Sequence, residues 1–167
     1  MEPIYKSEEV EESNYWNWNG FKIFWSVRGK ENKHPIILLH GFGASSKHWR
    51  NNSYYFAKKG YSVYSIDLIG FGNSAQPGIR EIGKLDNGVW CNQVNDFIQQ
   101  VIRPKTQNKV VLIGNSLGSL VALTCAVYLK NEIFSVIASP LPDPIDINKR
   151  QLKLSLIHIS EPTRQEA

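Results

Sequence analysis

A few short apolar runs, separated by stretches with helical spacing, constrain this chain most. Ile36–Leu39 and Val110–Ile113 are wholly apolar, and Tyr61–Ile66 and Ile133–Ala138 read as strands of similar length. Uninterrupted apolar runs this short are the pattern of parallel strands buried on both faces. Between them lie helical segments. One covers about Lys47 to Lys58 and is stopped by Gly60. A second covers Val89 to Ile102, with Val94, Phe97, Ile98, Val101 and Ile102 at helical spacing and Pro104 beyond its end. A third covers Leu117 to Leu129, with Leu117, Leu120, Val121, Thr124, Val127 and Tyr128 on one face. Ahead of these, Asn19-Gly20 is a two-residue hairpin signal between β-prone segments, of which Phe21–Val27 is the better strand. Strands alternating with amphipathic helices predict an α/β fold, with a mostly parallel sheet, helices on both faces and right-handed crossovers.

The bulk properties remove several classes of function. The chain has 167 residues, which suits one domain, and is 42% hydrophobic and 20% charged, as ordinary globular proteins are. The net charge of +4 is not gathered into a stripe: Lys58-Lys59 and Lys149-Arg150 are the only adjacent basic pairs, so a nucleic-acid partner is not expected. Cys91 and Cys125 form neither a disulfide framework nor a metal-ligand spacing, which fits a reducing compartment and a protein without metal or cofactor. No apolar run approaches the ~18 residues of a membrane span. The acidic start, with Glu2, Glu8, Glu9, Glu11 and Glu12, does not resemble a secretory or transit leader, so a cytoplasm-like rather than secreted location is expected. Residues 1–13 read as a loose acidic arm, 14–147 as the α/β core, 148–154 as the start of a lid or linker, and 155–167 as a tail foreign to the fold.

The chemistry concentrates at the ends of the strands. Val110 to Ile113 run into Gly114-Asn115-Ser116-Leu117-Gly118 and then into an apolar helix. A turn this sharp strains the serine backbone and needs small residues two positions before and after it, so that strand and helix can approach. Such a turn lifts the Ser116 hydroxyl above the sheet, near the first amides of the helix, which favour developing negative charge. Ser116 is therefore the expected nucleophile. After the earlier strand comes His40-Gly41-Phe42-Gly43-Ala44-Ser45, where this kind of site keeps a second oxyanion donor. The N–H groups of Phe42 and Leu117 are the expected pair. His40 reads as a strand-end histidine shaping its loop by hydrogen bonding rather than as a general base. His40, Gly41 and Trp49 are the candidate substrate-pocket residues, although Phe42 and Trp49 suit a core equally well. Asp67, opening Asp67-Leu68-Ile69-Gly70-Phe71-Gly72-Asn73-Ser74, reads as a carboxylate that holds loop amides.

Over Trp16 to Ile147 these segments resemble the α/β-hydrolase superfamily. Within it the chain is similar to the cyanobacterial and plastid branch that includes pheophytinase and chlorophyll dephytylase. The shared features are Trp16-x-Trp18-x-Gly20, the His40 to Ser45 segment followed by His48-Trp49-Arg50, the loop from Asp67 to Gly72, and Gly114 to Gly118. The resemblance implies an esterase acting on a bulky apolar small molecule of the phytyl-ester type, without metal or cofactor, in a cytoplasmic or plastid setting. A serine at the turn sets the chain apart from the haloalkane dehalogenases and epoxide hydrolases of this fold, which carry an aspartate there. The family's triad continues with an acid and then a histidine from later strands. Here only His158 follows Ser116, with Glu132, Asp143 and Asp146 as acids before it. Two further strands and a lid are expected after Ala138. The segment Ser155–Ala167 resembles a translated sequencing-adapter fragment, so native sequence is expected to end near Leu154. On that reading the polypeptide as written is an inactive piece, or a binding scaffold, of a longer hydrolase.

Overall fold

The computed structural model describes residues 10–139. Asp143, Asp146, His158, the expected lid start and the tail lie outside the described residues. The described strands are β1 (Glu12–Trp18), β2 (Phe21–Arg28), β3 (His34–Leu39), β4 (Tyr61–Ile66), β5 (Val110–Gly114) and β6 (Ile133–Ala138). They form one sheet in the order β1-β2-β4-β3-β5-β6. β1 pairs antiparallel with β2, and β2 with β4, while β4, β3, β5 and β6 are mutually parallel. The helices are α1 (Arg50–Lys58), α2 (Ile79–Ile82), α3 (Asn87–Phe97) and α4 (Leu117–Tyr128). The mostly parallel α/β architecture is thus as the alternation of elements predicted.

Local chemistry explains the elements. Asn19 and Gly20 both have positive φ, 51° and 85°, as the two central residues of a tight hairpin turn require, and Asn17 Oδ1 accepts the Gly20 N–H at 2.9 Å. In β3, alternate residues face opposite layers. Ile37 and Leu39 join the larger core with α3 and α4, whereas Ile36 and Leu38 join Trp49, Ala57, Val63 and Ile113 on the other face. A central strand covered on both sides in this way must be apolar where it is covered, as β3 is from Pro35 to Leu39. The larger core is knit by aromatics: Phe97 of α3 meets Trp16, Trp25 and Tyr64 edge-on at 5.6, 5.4 and 5.9 Å. Trp16 and Trp18, two residues apart on β1, both reach α3 and its extension, donating to Gln100 Oε1 and Asp96 Oδ2 at 2.9 and 2.8 Å.

The structure departs from the sequence expectation in short pieces. β1 starts at Glu12, inside the stretch expected to be loose, because the preceding Glu11 accepts from Ser26 and pairs with Arg28. A single-turn 3-10 helix, Ser46–Trp49, precedes α1. The expected loop after β4 contains α2, bracketed by Gly78 and Gly83, with Glu81 accepting the Gly78 N–H. α3 begins at Asn87 because the Asp86 carboxylate accepts the Gly88 and Val89 amides at 2.9 and 3.1 Å. Its C-terminal end widens into a π-helical turn, Ile98–Ile102, closed by Arg103 N–H to Ile98 O just before Pro104. Among the described residues no helix is long and apolar enough to cross a membrane.

Candidate active site

The site is built where β5 turns into α4. Ser116 has φ 52° and ψ −112°, and it and Asn19 are the only non-glycine residues of positive φ among those described. Such a backbone costs on the order of 1–3 kcal/mol and persists only where the surroundings enforce it. The enforcement comes from two glycines. A Cβ on Gly114 would lie 2.3 Å from Gly118 O, and one on Gly118 would lie 2.1 Å from Leu39 O. Both contacts are with backbone, which cannot swing aside. The turn is also tied at several points. Asn115 N–H donates to Leu39 O at 3.0 Å, Ser119 Oγ donates to Gly114 O at 2.8 Å, and Asn115 Nδ2 donates to Ser139 O at 3.1 Å. Ser116 is left half-buried ahead of the first turn of α4. Leu117 N–H, the first amide of that helix, has no intrahelical acceptor.

Gly41 packs directly on this turn. A Cβ there would meet Asn115 Oδ1 at 2.9 Å and Ser116 Cβ at 3.3 Å. The loop after β3 is therefore brought against Ser116, and Phe42 follows it immediately, its side chain 80% exposed. Phe42 meets Phe71 edge-on at 5.4 Å, and Phe71 in turn contacts His40 at 5.6 Å and Trp90 at 6.0 Å.

Two of the expected pocket residues are corrected by their packing. His40 is fully buried. Its Nε2 accepts the Leu68 N–H at 3.0 Å, so the proton lies on Nδ1, which donates to Gly41 O at 2.8 Å. Burial holds its pKa below the usual imidazole value, against the raising effect of the Gly41 hydrogen bond. With both nitrogens committed and the ring fully buried, His40 is a brace between the loops after β3 and β4 and is free for no proton transfer. Trp49 belongs to the smaller core on the α1 face of the sheet and is 7% exposed. Of the three candidates, only Gly41 touches the serine. Asp67 is also fully buried, and its carboxylate accepts the Ser46 and Asn73 amides. Gly72 is required beside it, since a Cβ there would sit 2.2 Å from Asp67 Oδ2. Glu132 stands at the start of β6, at the opposite end of the sheet from Ser116, and is ion-paired with Arg103.

The sequence reading did not single out the two residues of α3 that hold the loop after β4. Gln93 Oε1 accepts the Ile69 N–H and Trp90 Nε1 donates to Ile69 O, both at 3.0 Å. Gln93 carried a signal, being a polar side chain on the apolar face of a helix. Among the described residues no group of three or more His, Cys, Asp or Glu is gathered to hold a metal.

A parallel sheet whose strand passes through a strained serine into a helix, with a glycine loop from the neighbouring strand packed against that serine, defines a class of α/β enzyme scaffold. The family model described as alpha/beta hydrolase fold matches residues 34–154, and the chain belongs to that family. It is 31% identical over 126 residues to epoxide hydrolase 4 of Mus musculus, covering 75% of this chain and 33% of that protein. It is 26% identical over 121 residues to the pimeloyl-[acyl-carrier protein] methyl ester esterase of Aliivibrio fischeri, covering 71% of this chain and 41% of the relative. Among solved structures, the thioesterase domain from the curacin biosynthetic pathway superposes with a TM-score of 0.72 at 22% identity, over 89% of this chain and 53% of that one, a likeness of fold. The chain thus spans from a third to about half the length of these proteins.

Proposed function

We propose that the whole protein is a serine hydrolase of carboxylic esters, with Ser116 as nucleophile and the N–H groups of Phe42 and Leu117 as the oxyanion hole. The observation that carries this reading is the strained Ser116 backbone between two glycines that tolerate no side chain. In the reaction Ser116 Oγ attacks the ester carbonyl and passes its proton to a base. The two amides stabilise the tetrahedral oxyanion, the alcohol leaves, and water then hydrolyses the acyl-enzyme. His40, committed to Gly41 and Leu68, is not that base, and the base and its orienting acid are proposed to come from later in the whole protein. No cofactor or metal takes part.

Epoxide opening is the competing chemistry, given the similarity to epoxide hydrolase 4. Ser116 argues against it. An aspartate opens an epoxide to an ester, which water can hydrolyse at the carbonyl; a serine would open it to an ether, which has no carbonyl and would not turn over. The substrate is proposed to be an ester of a bulky apolar alcohol, of the phytyl type, as the Trp16-x-Trp18, His40 to Ser45 and Asp67 to Gly72 segments suggest. The test is hydrolysis by the full-length protein of p-nitrophenyl esters and of the phytyl and ethyl esters of one acid, for wild type and Ser116→Ala. Loss of at least about 10³-fold in kcat/KM is expected on losing the nucleophile. Turnover that survives in Ser116→Ala overturns the mechanism, and equal turnover of phytyl and ethyl esters overturns the substrate class.

A further inference from the structure

Phe42 carries one of the two proposed oxyanion amides, yet its ring is 80% exposed, so burial does little to hold it. The turn it belongs to, Gly41–Ala44, stands out from the fold at its tip: a Cβ on Gly43 would meet nothing within 4 Å. Two features fix the turn. The first acts on the peptide between Gly41 and Phe42. Its carbonyl oxygen accepts from Ala44 N–H at 3.2 Å and from His40 Nδ1 at 2.8 Å. A peptide unit is planar, so fixing that oxygen also fixes the direction of the Phe42 N–H on its opposite edge. The second is Phe71. Its ring meets the Phe42 ring edge-on at 5.4 Å and the His40 ring edge-on at 5.6 Å. One side chain thus touches both the residue that offers the N–H and the residue that holds the carbonyl of the same peptide. Phe71 is itself anchored. It is half-buried, packs on Trp90 at 6.0 Å, donates its N–H to Leu68 O at 3.0 Å and accepts the Ser74 N–H at 3.1 Å.

We infer that Phe71 is a positioning residue for the oxyanion hole, holding the Gly41–Phe42 peptide in place from the loop after β4. The inference rests on the reading of Phe42 as an oxyanion donor. Stabilisation of this kind depends on donors that are in place before charge develops, because a donor that must first reorient loses part of its effect. Without the Phe71 ring, the Gly41 carbonyl keeps its hydrogen bonds, but Phe42 and His40 both lose an edge-on neighbour and the turn is freer to rock about its ends. Acylation and deacylation each pass through a tetrahedral oxyanion, so both steps should slow by similar factors while substrate binding does not change. The loop after β4 supplies no reacting group in this scheme. Through Phe71 it sets how well the reacting groups of another loop are aimed.

The test uses the full-length protein, with kcat and KM measured separately on p-nitrophenyl acetate and p-nitrophenyl decanoate and folding followed by circular dichroism. Phe71→Ala is expected to lower kcat on both esters about tenfold, short of the ~10²–10³ that follows outright loss of an oxyanion donor, with KM within about twofold. A trifluoromethyl ketone, whose adduct on Ser116 carries an oxyanion, should inhibit more weakly by the same factor as kcat/KM falls. Phe71→Leu keeps apolar volume without a ring edge; it should move in the same direction and decides the matter where Phe71→Ala does not fold. An unchanged kcat on the acetate overturns the inference. So does a rise in KM confined to the decanoate, which would make the ring a wall for the acyl chain, and so does a fall in kcat that leaves ketone inhibition unchanged. Turnover surviving in Ser116→Ala would overturn the nucleophile reading and this inference with it, whereas the other results overturn this inference alone.

Discussion

Ser116 and its neighbours make opposite demands on side-chain size. Gly114 and Gly118 must be bare, while Ser116 carries a Cβ at a φ that favours glycine. Stability and activity should therefore separate at this residue. Ser116→Gly is expected to raise unfolding free energy by about 1 kcal/mol, the relieved strain less the greater freedom glycine gives the unfolded chain, while abolishing hydrolysis. Equilibrium urea unfolding checks this, with Ser116→Ala as the control that keeps the strain. Gly118→Ala should do the reverse, costing about 3 kcal/mol or more, since its methyl group meets the Leu39 carbonyl and the strand must shift. These positions were legible in the sequence because steric need writes directly into residue type. The bracing role of His40 was legible too, but its exclusion from the pocket and the placement of Trp49 were not: an imidazole or indole near a site loop reads the same whether it faces a substrate or the core, and only packing decides.

His40 adds a pH dependence with a definite sign. Burial depresses its folded pKa, so as pH falls the unfolded chain takes up the proton first. Its contribution to stability is full above the unfolded value of about 6.5 and is lost as pH falls below that toward the lower folded value. Wild type should thus lose more stability between about pH 7 and pH 5 than His40→Asn, whatever the variant's offset at neutral pH. Urea midpoints at both pH values test this; parallel profiles would remove His40 as a titrating brace.

At the scale of elements, the strands were readable and the short turns were not. β3, β4, β5 and β6 lie where the sequence placed them; in β3 and β5 the apolar runs are uninterrupted because burial on both faces leaves little room for polar residues. The 3-10 turn Ser46–Trp49, α2 and the π-helical turn Ile98–Ile102 are four or five residues long. A piece that short spans little more than one helical turn, so no hydrophobic period repeats in it, and its conformation follows from neighbours such as Pro104 rather than from its own pattern. The start of α3 was missed for a related reason: Asp86 acts through one carboxylate and two amides, a local bond with no periodicity. Asp86→Ala should cost about 1 kcal/mol and Asp86→Asn distinctly less, since the amide oxygen still accepts. Thermal unfolding followed by circular dichroism distinguishes the two.

At the scale of the molecule, the sheet has two ends of different character. At one, β1 is bound into a hairpin and fastened by Trp16 and Trp18 to α3 and its extension. At the other, β6 pairs only with β5 among the described residues, and its Phe134 and Ile137 are 74% and 51% exposed. A strand with apolar side chains and a free hydrogen-bonding edge is a template for another chain. The 167-residue polypeptide is therefore expected to self-associate through β6 at micromolar concentration, seen as a concentration-dependent rise in mass by light scattering. Phe134→Lys with Ile137→Lys should suppress it, because charge on an edge strand opposes pairing while leaving the buried Ile133 in place. The same double substitution should leave unfolding free energy within about 1 kcal/mol, as surface changes usually do. Association that persists unchanged in the double variant would show that some other surface drives it, and that the β6 edge is already satisfied in solution.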